Sequence, residues 1–413
     1  MENKHIAIVG AGVVGLSTAL NLQQAGYRVT LIDRDDPGMG TSFGNAGLFA
    51  DYARLPFTKF AMMRKMPGML LDRTSPLSMQ GSYLPNLVPY GWGFFKSCFR
   101  ANYEKGCRAL TSLQRLAPAA DHKLLQLAGS EDLVKANGCL ALFDSEQSIA
   151  EAKTGDMAER IQQGVNLEFL SAGEVTELEP ELAAFHAGGV FYPNTRFTVS
   201  PVAISQRYAG HFAANGGMIV QDEVQEIIAS GKGVTLRLSD TSMHFDNLVL
   251  CAGVASKQLL KPLGCNFPLV SERGYHLTLD TDGKQLNRPV GWLDKAVFLT
   301  PMSDGVRLAG TAEFADADAP LNQQRANVML QHAKVMLGLE PEIKSTWVGS
   351  RPSTPDSLPV IGSLNKYPQI SVAFGHGHLG LTFGAVTGQL IKETISDEKT
   401  SVDLTPFAPE RFS

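Results

Sequence analysis

His5-Ile-Ala-Ile-Val9 runs directly into Gly10-Ala-Gly12-Val-Val-Gly15. The apolar, β-branched run reads as a buried parallel strand. A helical pattern follows over residues 13–25 and stops at Gly26, and Arg28-Val-Thr-Leu-Ile32 forms a second strand that ends at Asp33. The unit is strand, G-x-G-x-x-G, helix, strand, acidic residue. Gly10 permits the tight turn, Gly12 lets a pyrophosphate approach the backbone, and Gly15 lets helix pack on strand. The N–H groups at the helix start face the phosphates. Asp33 is placed to accept from an adenosine ribose hydroxyl. The expected contacts here are Gly10, Ala11, Gly12, Val13, Val14, Gly15, Asp33 and Arg34. NAD and FAD share this fingerprint, so it predicts a dinucleotide without choosing one.

The whole chain agrees with a large soluble-type core. Its 413 residues suggest two or three domains. With 44% hydrophobic and 19% charged residues, global disorder is excluded. Lys plus Arg is 36 and Asp plus Glu is 41, so the net charge of −5 gives no overall basic footprint for nucleic acid. The five cysteines are odd in number and never form C-x-x-C, which argues against a disulfide framework and fits a reducing compartment. No uninterrupted run reaches the roughly 18 apolar residues of a spanning helix. The apolar N-terminal stretch imitates a signal-peptide core but lacks a Lys/Arg-rich start. A cytoplasmic location is expected.

Beyond Asp33, Gly38 and Gly40 precede Thr41-Ser42-Phe-Gly-Asn45-Ala46-Gly47. Small hydroxyl and amide residues suit a backbone laid against a cofactor, and they equally suit an ordinary turn. Residues 103–128, 147–163, 201–215 and 322–337 read as helices. Residues 139–143, 166–170, 188–192 and 218–221 read as strands, and the run from 267 to 314 is strand-rich. Val224 to Ile228 and Val234 to Leu238 form a hairpin pattern. Asn247 to Cys251 is a strand delivering Ala252 and Gly253 to a turn, a second place for a cofactor. The fold class is α/β (α+β overall), with two interleaved domains: 1–60, 196–262 and 343–413 for the nucleotide, 61–195 and 263–342 for the substrate.

Residues 55–100 carry many Met, Pro and aromatic residues, with Lys96 and Arg100 near Trp92, Phe94, Phe95 and Phe99. This segment admits two readings: an insertion that meets a membrane surface or partner, or a cover over the core with Met as gap filler.

Near the other end, Ile370-Ser-Val-Ala-Phe374 leads to Gly375-His-Gly-His-Leu-Gly380 and a helical run to Ile395. A helix start offers free N–H groups and partial positive charge. Reduced flavin carries negative charge near N1 and the C2 carbonyl, so a second such tip favours FAD over NAD.

These motifs, with Arg273-Gly-Tyr275-His276, Gly310-Thr-Ala-Glu-Phe314 and Arg351-Pro followed by Thr354-Pro-Asp356, resemble the D-amino-acid oxidase superfamily of FAD enzymes, and within it the bacterial D-amino-acid dehydrogenases. The resemblance spans nearly the whole chain and is weakest over 55–100. It implies a Rossmann-type FAD domain with a mixed-sheet substrate domain, and non-covalent FAD. It implies oxidative deamination of D-amino acids, including D-proline-like or hydroxyproline-like ones, by hydride transfer from Cα to flavin N5. The products are an imine and then a 2-oxo acid plus ammonia. Arg351 matches the carboxylate-gripping arginine, Tyr275 a tyrosine near that carboxylate, and the loop Gly377, His378, Leu379, Gly380, Leu381, Thr382 the flavin edge. The expected catalytic set is therefore Arg351, Tyr275 and His378, and Arg351 also counts among the cofactor contacts. Expected partners are the amino acid and an electron acceptor: a quinone or respiratory chain ahead of oxygen. Contact would be peripheral, on the cytoplasmic face of the inner membrane.

Each assignment has a plainer counterpart. Arg351 also reads as an interdomain ion pair, Tyr275 as a core tyrosine, and His376 and His378 as histidines bonded to backbone. No H-E-x-x-H, Cys/His ligand cluster or nucleophile elbow is present, so no metal is expected. Two rival functions remain: a glycine- or sarcosine-type amine oxidase using oxygen, and a flavin-binding subunit that relays electrons inside a complex.

Overall fold

A computed structural model describes residues 4–72 and 75–412. Residues 1–3, 73, 74 and 413, which fall in the expected segments 1–60, 55–100 and 343–413, lie outside the described residues.

The first strand, His5–Val9, pairs in parallel with Arg28–Asp33 on one side and Asn247–Leu250 on the other. Met218–Gln221 extends the sheet at one edge, Tyr367–Phe374 at the other, and Val360–Leu364 closes it as an antiparallel hairpin strand. The central strands are almost wholly buried, as expected for a parallel sheet covered on both faces. Four helices cover one face: Val13–Gln24, Arg100–Leu127, Pro201–Ala214 and Gly380–Ile395, joined by a core that includes Leu16, Leu113, Phe212, Phe383 and Val386. A three-stranded sheet, Glu226–Ser230, Gly233–Arg237 and Ser242–Phe245, covers the other through Leu236, Phe245 and Leu250.

The second large sheet has nine strands and is mostly antiparallel. Val270–Asp280 lies between Glu342–Ser353 and Gly305–Phe314. The Gln323–Leu337 helix buries Met329, Ala333 and Met336 against the face that carries Tyr275 and Leu277. Asn322 caps this helix, its side chain accepting from the Gln324 N–H.

Three expectations need correction. The helix expected over 147–163 is two, Glu146–Thr154 and Asp156–Gln162, broken at Gly155, whose φ of −102° and ψ of −118° end the first. The chain leaves the substrate sheet at Ser353, so residues 343–353 belong there and not with the nucleotide sheet. The Arg100–Leu127 helix, assigned by sequence to the substrate side, packs in the nucleotide-side core, because Leu110, Leu113 and Leu124 join that core and the helix lies against the Gly380–Ile395 helix. The 55–100 segment contributes the helices Phe60–Leu71 and Leu84–Ser97.

Candidate functional site

Two helix N-termini meet at one cavity. Gly12 and Leu379 are their N-cap residues, and neither supplies a capping side chain. Gly12, Val13 and Val14 from one, with Gly380 and Leu381 from the other, line the cavity. Free N–H donors and the helix dipoles suit phosphate and other anionic groups. Glycine is required here. A Cβ on Gly10 would stand 2.5 Å from the Cys251 carbonyl oxygen, and one on Gly15 would stand 1.8 Å from the Gly10 oxygen.

Asp33 reaches the cavity with one oxygen accepting from the Ala11 N–H at 2.5 Å and the other from the Asp35 N–H at 3.1 Å. That orients the carboxylate and leaves lone pairs for a hydroxyl. Arg34 is exposed at the rim, paired with Asp35 and Glu223. Thr41, Ser42, Asn45, Val224, Ala252, Gly253 and Gly377 also line the wall. Ser42 Oγ accepts from the Val13 N–H at 3.0 Å, Thr41 donates to the Ser350 carbonyl at 2.8 Å, and the Asn45 side chain accepts from the Gly47 N–H at 2.8 Å. Arg307 donates to the carbonyls of Phe43 and Asn45, both at 2.9 Å. The 41–47 loop is thus tied to the first helix and to the nine-stranded sheet.

Other expected contacts lie outside that lining. Ala11 and Gly15 are packed behind it, Ala46 and Gly47 sit past the turn, and Leu379 is in the core. The Thr382 hydroxyl is occupied by main chain, accepting from the Ala50 N–H at 3.1 Å and donating to the Leu48 carbonyl at 3.4 Å. It holds helix to strand and does not face the cavity. His376 does line the cavity, but its Nε2 is bonded to Thr387 at 2.9 Å, and burial pushes the ring's pKa down to about 3.

Beside the cavity lies a second, charged constellation. Ser353 bridges to His376, and the Gly377 N–H donates to the Pro352 carbonyl, so the last residues of the Glu342–Ser353 strand adjoin the loop carrying His378. On that strand Arg351 Nη1 donates to Glu272 Oε1 at 3.1 Å and to the Thr311 carbonyl at 3.0 Å. The Ser353 hydroxyl donates to the other Glu272 oxygen at 2.8 Å. Thr311 is a β-branched residue at φ +58°, within a register shift opposite Arg273 and Tyr275. Such a bulge re-aims main chain at the cost of local strain, and here it turns a carbonyl toward the guanidinium.

His378 opens to solvent at this crevice, with Phe57 5.1 Å away. Partial desolvation against the crevice wall, with Arg351 and Arg160 adding to it, lowers its pKa, while Glu272 pulls the other way. The ring is neutral at pH 7. Tyr90, from the Leu84–Ser97 helix, comes near the same Glu272, and burial foremost raises its phenol.

Tyr275 does not join this group. Residues 272, 274 and 276 share one face of their strand and 273 and 275 the other. The Tyr275 hydroxyl donates to Glu313 at 2.6 Å, accepts from the Asn322 N–H at 3.2 Å and lies in the core under the Gln323–Leu337 helix. Its pKa is raised to about 12, by burial first and by Glu313 second. Arg273 is bound to the same Glu313 at 3.0 Å. The structure thus brings Arg351 and His378 together and leaves Tyr275 behind the sheet. Sequence reasoning missed Glu272, Ser353, Thr311 and Phe57. The one available signal was strand parity, which puts Glu272 on the face opposite Tyr275. Among the described residues no group of three or more His, Cys, Asp or Glu is placed to hold a metal ion.

The family model for FAD-dependent oxidoreductases, DAO, matches residues 5–394. A D-amino-acid oxidase from Bradyrhizobium diazoefficiens is 33% identical, the match covering 100% of this chain and 99% of that one. A D-amino acid dehydrogenase from Chromohalobacter salexigens is 29% identical, covering 97% of each. Among solved structures, glycine oxidase from Geobacillus kaustophilus has the same fold, with a TM-score of 0.76 at 21% identity over 98% of both chains.

Proposed function

This chain belongs to the DAO family of FAD-dependent oxidoreductases, and from that premise we propose that it oxidises the Cα–N bond of D-amino acids. The single observation that carries the reading is the Arg351–Glu272 pair, 3.1 Å apart beside neutral His378 and joined to the dinucleotide cavity through the Ser353–His376 bridge.

The cavity fits FAD. Two helix tips whose N-cap residues supply no capping side chain, the Gly10–Gly15 turn that no Cβ would allow, and the Asp33 carboxylate supply donors and acceptors for phosphates and ribose. Gly10, Gly12, Val13, Val14, Asp33, Thr41, Ser42, Asn45, Ala252, Gly253, Gly377, Gly380 and Leu381 would hold it. When bound, the flavin supplies a hydride acceptor.

The chain's own residues bind and orient. Arg351 is the carboxylate clamp, since a planar guanidinium matches a carboxylate bidentately. It lies half-buried, where water screens such a pair less than at the surface. Neutral His378 and Phe57 form the adjoining wall, an uncharged surface for the substrate side chain. Proline-like or hydroxyproline-like substrates suit such a wall. A cyclic amine would leave as a pyrroline, and a primary imine would hydrolyse to a 2-oxo acid and ammonia.

For the electron acceptor we favour a membrane quinone or respiratory chain. Leu84, Val88 and Trp92, four residues apart on one helix, are 53%, 66% and 60% exposed. Between residues 55 and 103 six basic residues accompany one acidic residue, Asp72. An apolar stripe among cations suits an anionic lipid interface. Among the described residues no helix is long and apolar enough to cross a membrane, so contact would be peripheral. Oxygen as acceptor is the second reading, supported by the oxidase name of the Bradyrhizobium relative.

An anaerobic panel of D- and L-amino acids, with proline, hydroxyproline, glycine and sarcosine, tests the reading through loss of flavin absorbance. Bleaching by D-amino acids is expected. No bleaching by any amino acid would overturn it. Peroxide release in air separates oxidase from dehydrogenase.

A further inference from the structure

We propose that Glu272 receives the substrate's ammonium group and accepts its proton, so that Arg351 and Glu272 form a matched seat for a zwitterion. The inference rests on amino-acid oxidation at this site.

The charge balance leads there. Arg351 is already neutralised by Glu272 at 3.1 Å, and their side chains are only 23% and 24% exposed. A bare carboxylate arriving at Arg351 would place two anions on one half-buried cation, a costly arrangement where solvent is scarce. A zwitterion avoids this by bringing a cation of its own. Its carboxylate goes to the guanidinium and its ammonium to Glu272.

Glu272 is built for that task. Oε1 takes the Arg351 N–H and Oε2 the Ser353 hydroxyl, which orients the group. A carboxylate offers about four lone-pair sites, so two remain for ammonium N–H groups. The charged and titratable groups facing it are Arg351 from its strand, His378 from the 375–380 loop and Tyr90 from the Leu84–Ser97 helix. Arg160 acts on His378 and Asp356 on Tyr90. Of these, Glu272 is the anion hydrogen-bonded to Arg351.

The step balances simply. One ammonium N–H bond breaks, an O–H bond forms on Glu272, and the electron pair stays on nitrogen. The neutral amine's lone pair can then assist departure of the Cα hydrogen with its two electrons, for which the flavin, when bound, would supply the acceptor. An ammonium has no lone pair to offer, so the proton must leave first. Substrates are thereby confined to carboxylates bearing a protonatable amine, and 2-hydroxy acids are excluded.

The test compares wild-type and Glu272→Gln holoenzymes. It reads kcat/KM from pH 6 to 10 with the best amino acid of the panel, and propionate binding by the shift of the flavin spectrum. Losing the base should lower kcat/KM about 100-fold at pH 7. The loss should recover as the pH passes the amine's own pKa. Propionate should bind the variant about tenfold more tightly, because Arg351 is freed. Glu272→Asp should restore part of the neutral-pH rate. A loss that is equal at every pH, or no loss, together with unchanged propionate binding, overturns the proposal. If Glu272→Gln does not retain flavin, the aspartate variant decides: a wild-type pH profile shifted by nothing but position supports the base, and a flat loss refutes it. If the wild type itself bleaches with no amino acid, the functional reading has failed, and the propionate comparison still reports whether Glu272 neutralises Arg351.

Discussion

The Arg351 guanidinium lies flat against Gly274: a Cβ there would stand 2.2 Å from Nη2, 2.4 Å from Cζ and 2.7 Å from Nε. The strand therefore has to lack a side chain at the point where the clamp rests. Gly274→Ala is expected to push the guanidinium off its seat and raise KM for the amino acid at least about tenfold, a loss of about 1.4 kcal/mol. The flavin content should be unchanged, since Gly274 does not line the dinucleotide cavity. Steady-state kinetics with the flavin-to-protein absorbance ratio checks both. An unaltered KM would show that the clamp lies elsewhere.

Gly10 sits at φ +108° with the Cys251 carbonyl 2.5 Å from where a Cβ would be. Both the backbone conformation and the contact disfavour any other residue. Gly10→Ala is expected to separate the first strand from Cys251 and deform the turn, giving protein with little bound flavin. The measurement is the 450 nm-region absorbance of the purified variant before and after incubation with FAD, and full yellow colour would contradict the expectation.

His376 gives a pH dependence of stability. Burial holds its pKa at about 3, against 6.5 when unfolded. The unfolded chain therefore takes up a proton below pH 6.5 that the folded chain refuses. Stability from this group is complete above pH 6.5 and falls as the pH drops from 6.5 towards 3, by about 1.4 kcal/mol per unit. His276, pushed down to about 3 by burial, acts in the same direction. His376→Gln keeps a polar group near Thr387 without the titration. Between pH 7 and pH 5 it should lose about 2 kcal/mol less than the wild type in denaturant titrations. Equal losses would exclude His376 as a contributor.

The exposed stripe on the Leu84–Ser97 helix predicts vesicle binding. Phosphatidylglycerol vesicles should pellet the wild-type protein at low salt and phosphatidylcholine vesicles should not. Val88→Ser with Trp92→Ser should leave it in the supernatant with unchanged kcat, because these side chains face outward while Phe94 faces in. If wild type and variant partition alike, the stripe does not bind lipid.

Much of the candidate cavity was legible because many of the residues that line it are close in sequence. Gly10, Gly12, Gly15 and Asp33 lie within one strand–helix–strand unit, and the geometry of that unit follows from local rules. The second glycine-rich turn at 375–380 was legible for the same reason. The substrate side was not. Tyr275 and Glu272 are three residues apart, and which one faces the crevice depends on strand parity and on how Val270–Asp280 registers against Glu342–Ser353. The Thr311 bulge, which aims a carbonyl at Arg351, has no signature of its own in Gly310-Thr-Ala-Glu-Phe314. Thr382 reads like a flavin-edge residue, yet Leu48 and Ala50, more than 330 positions away, engage its hydroxyl.

By itself the sequence determined that two helices open at glycine-rich turns, since a missing Cβ and a helix start act over a few residues. Only the tertiary structure decided that Arg351 meets Glu272, that Tyr275 turns to Glu313, and that the chain changes sheets at Ser353. Those outcomes depend on register between strands about 70 residues apart, and a one-residue slip reverses every side chain they present.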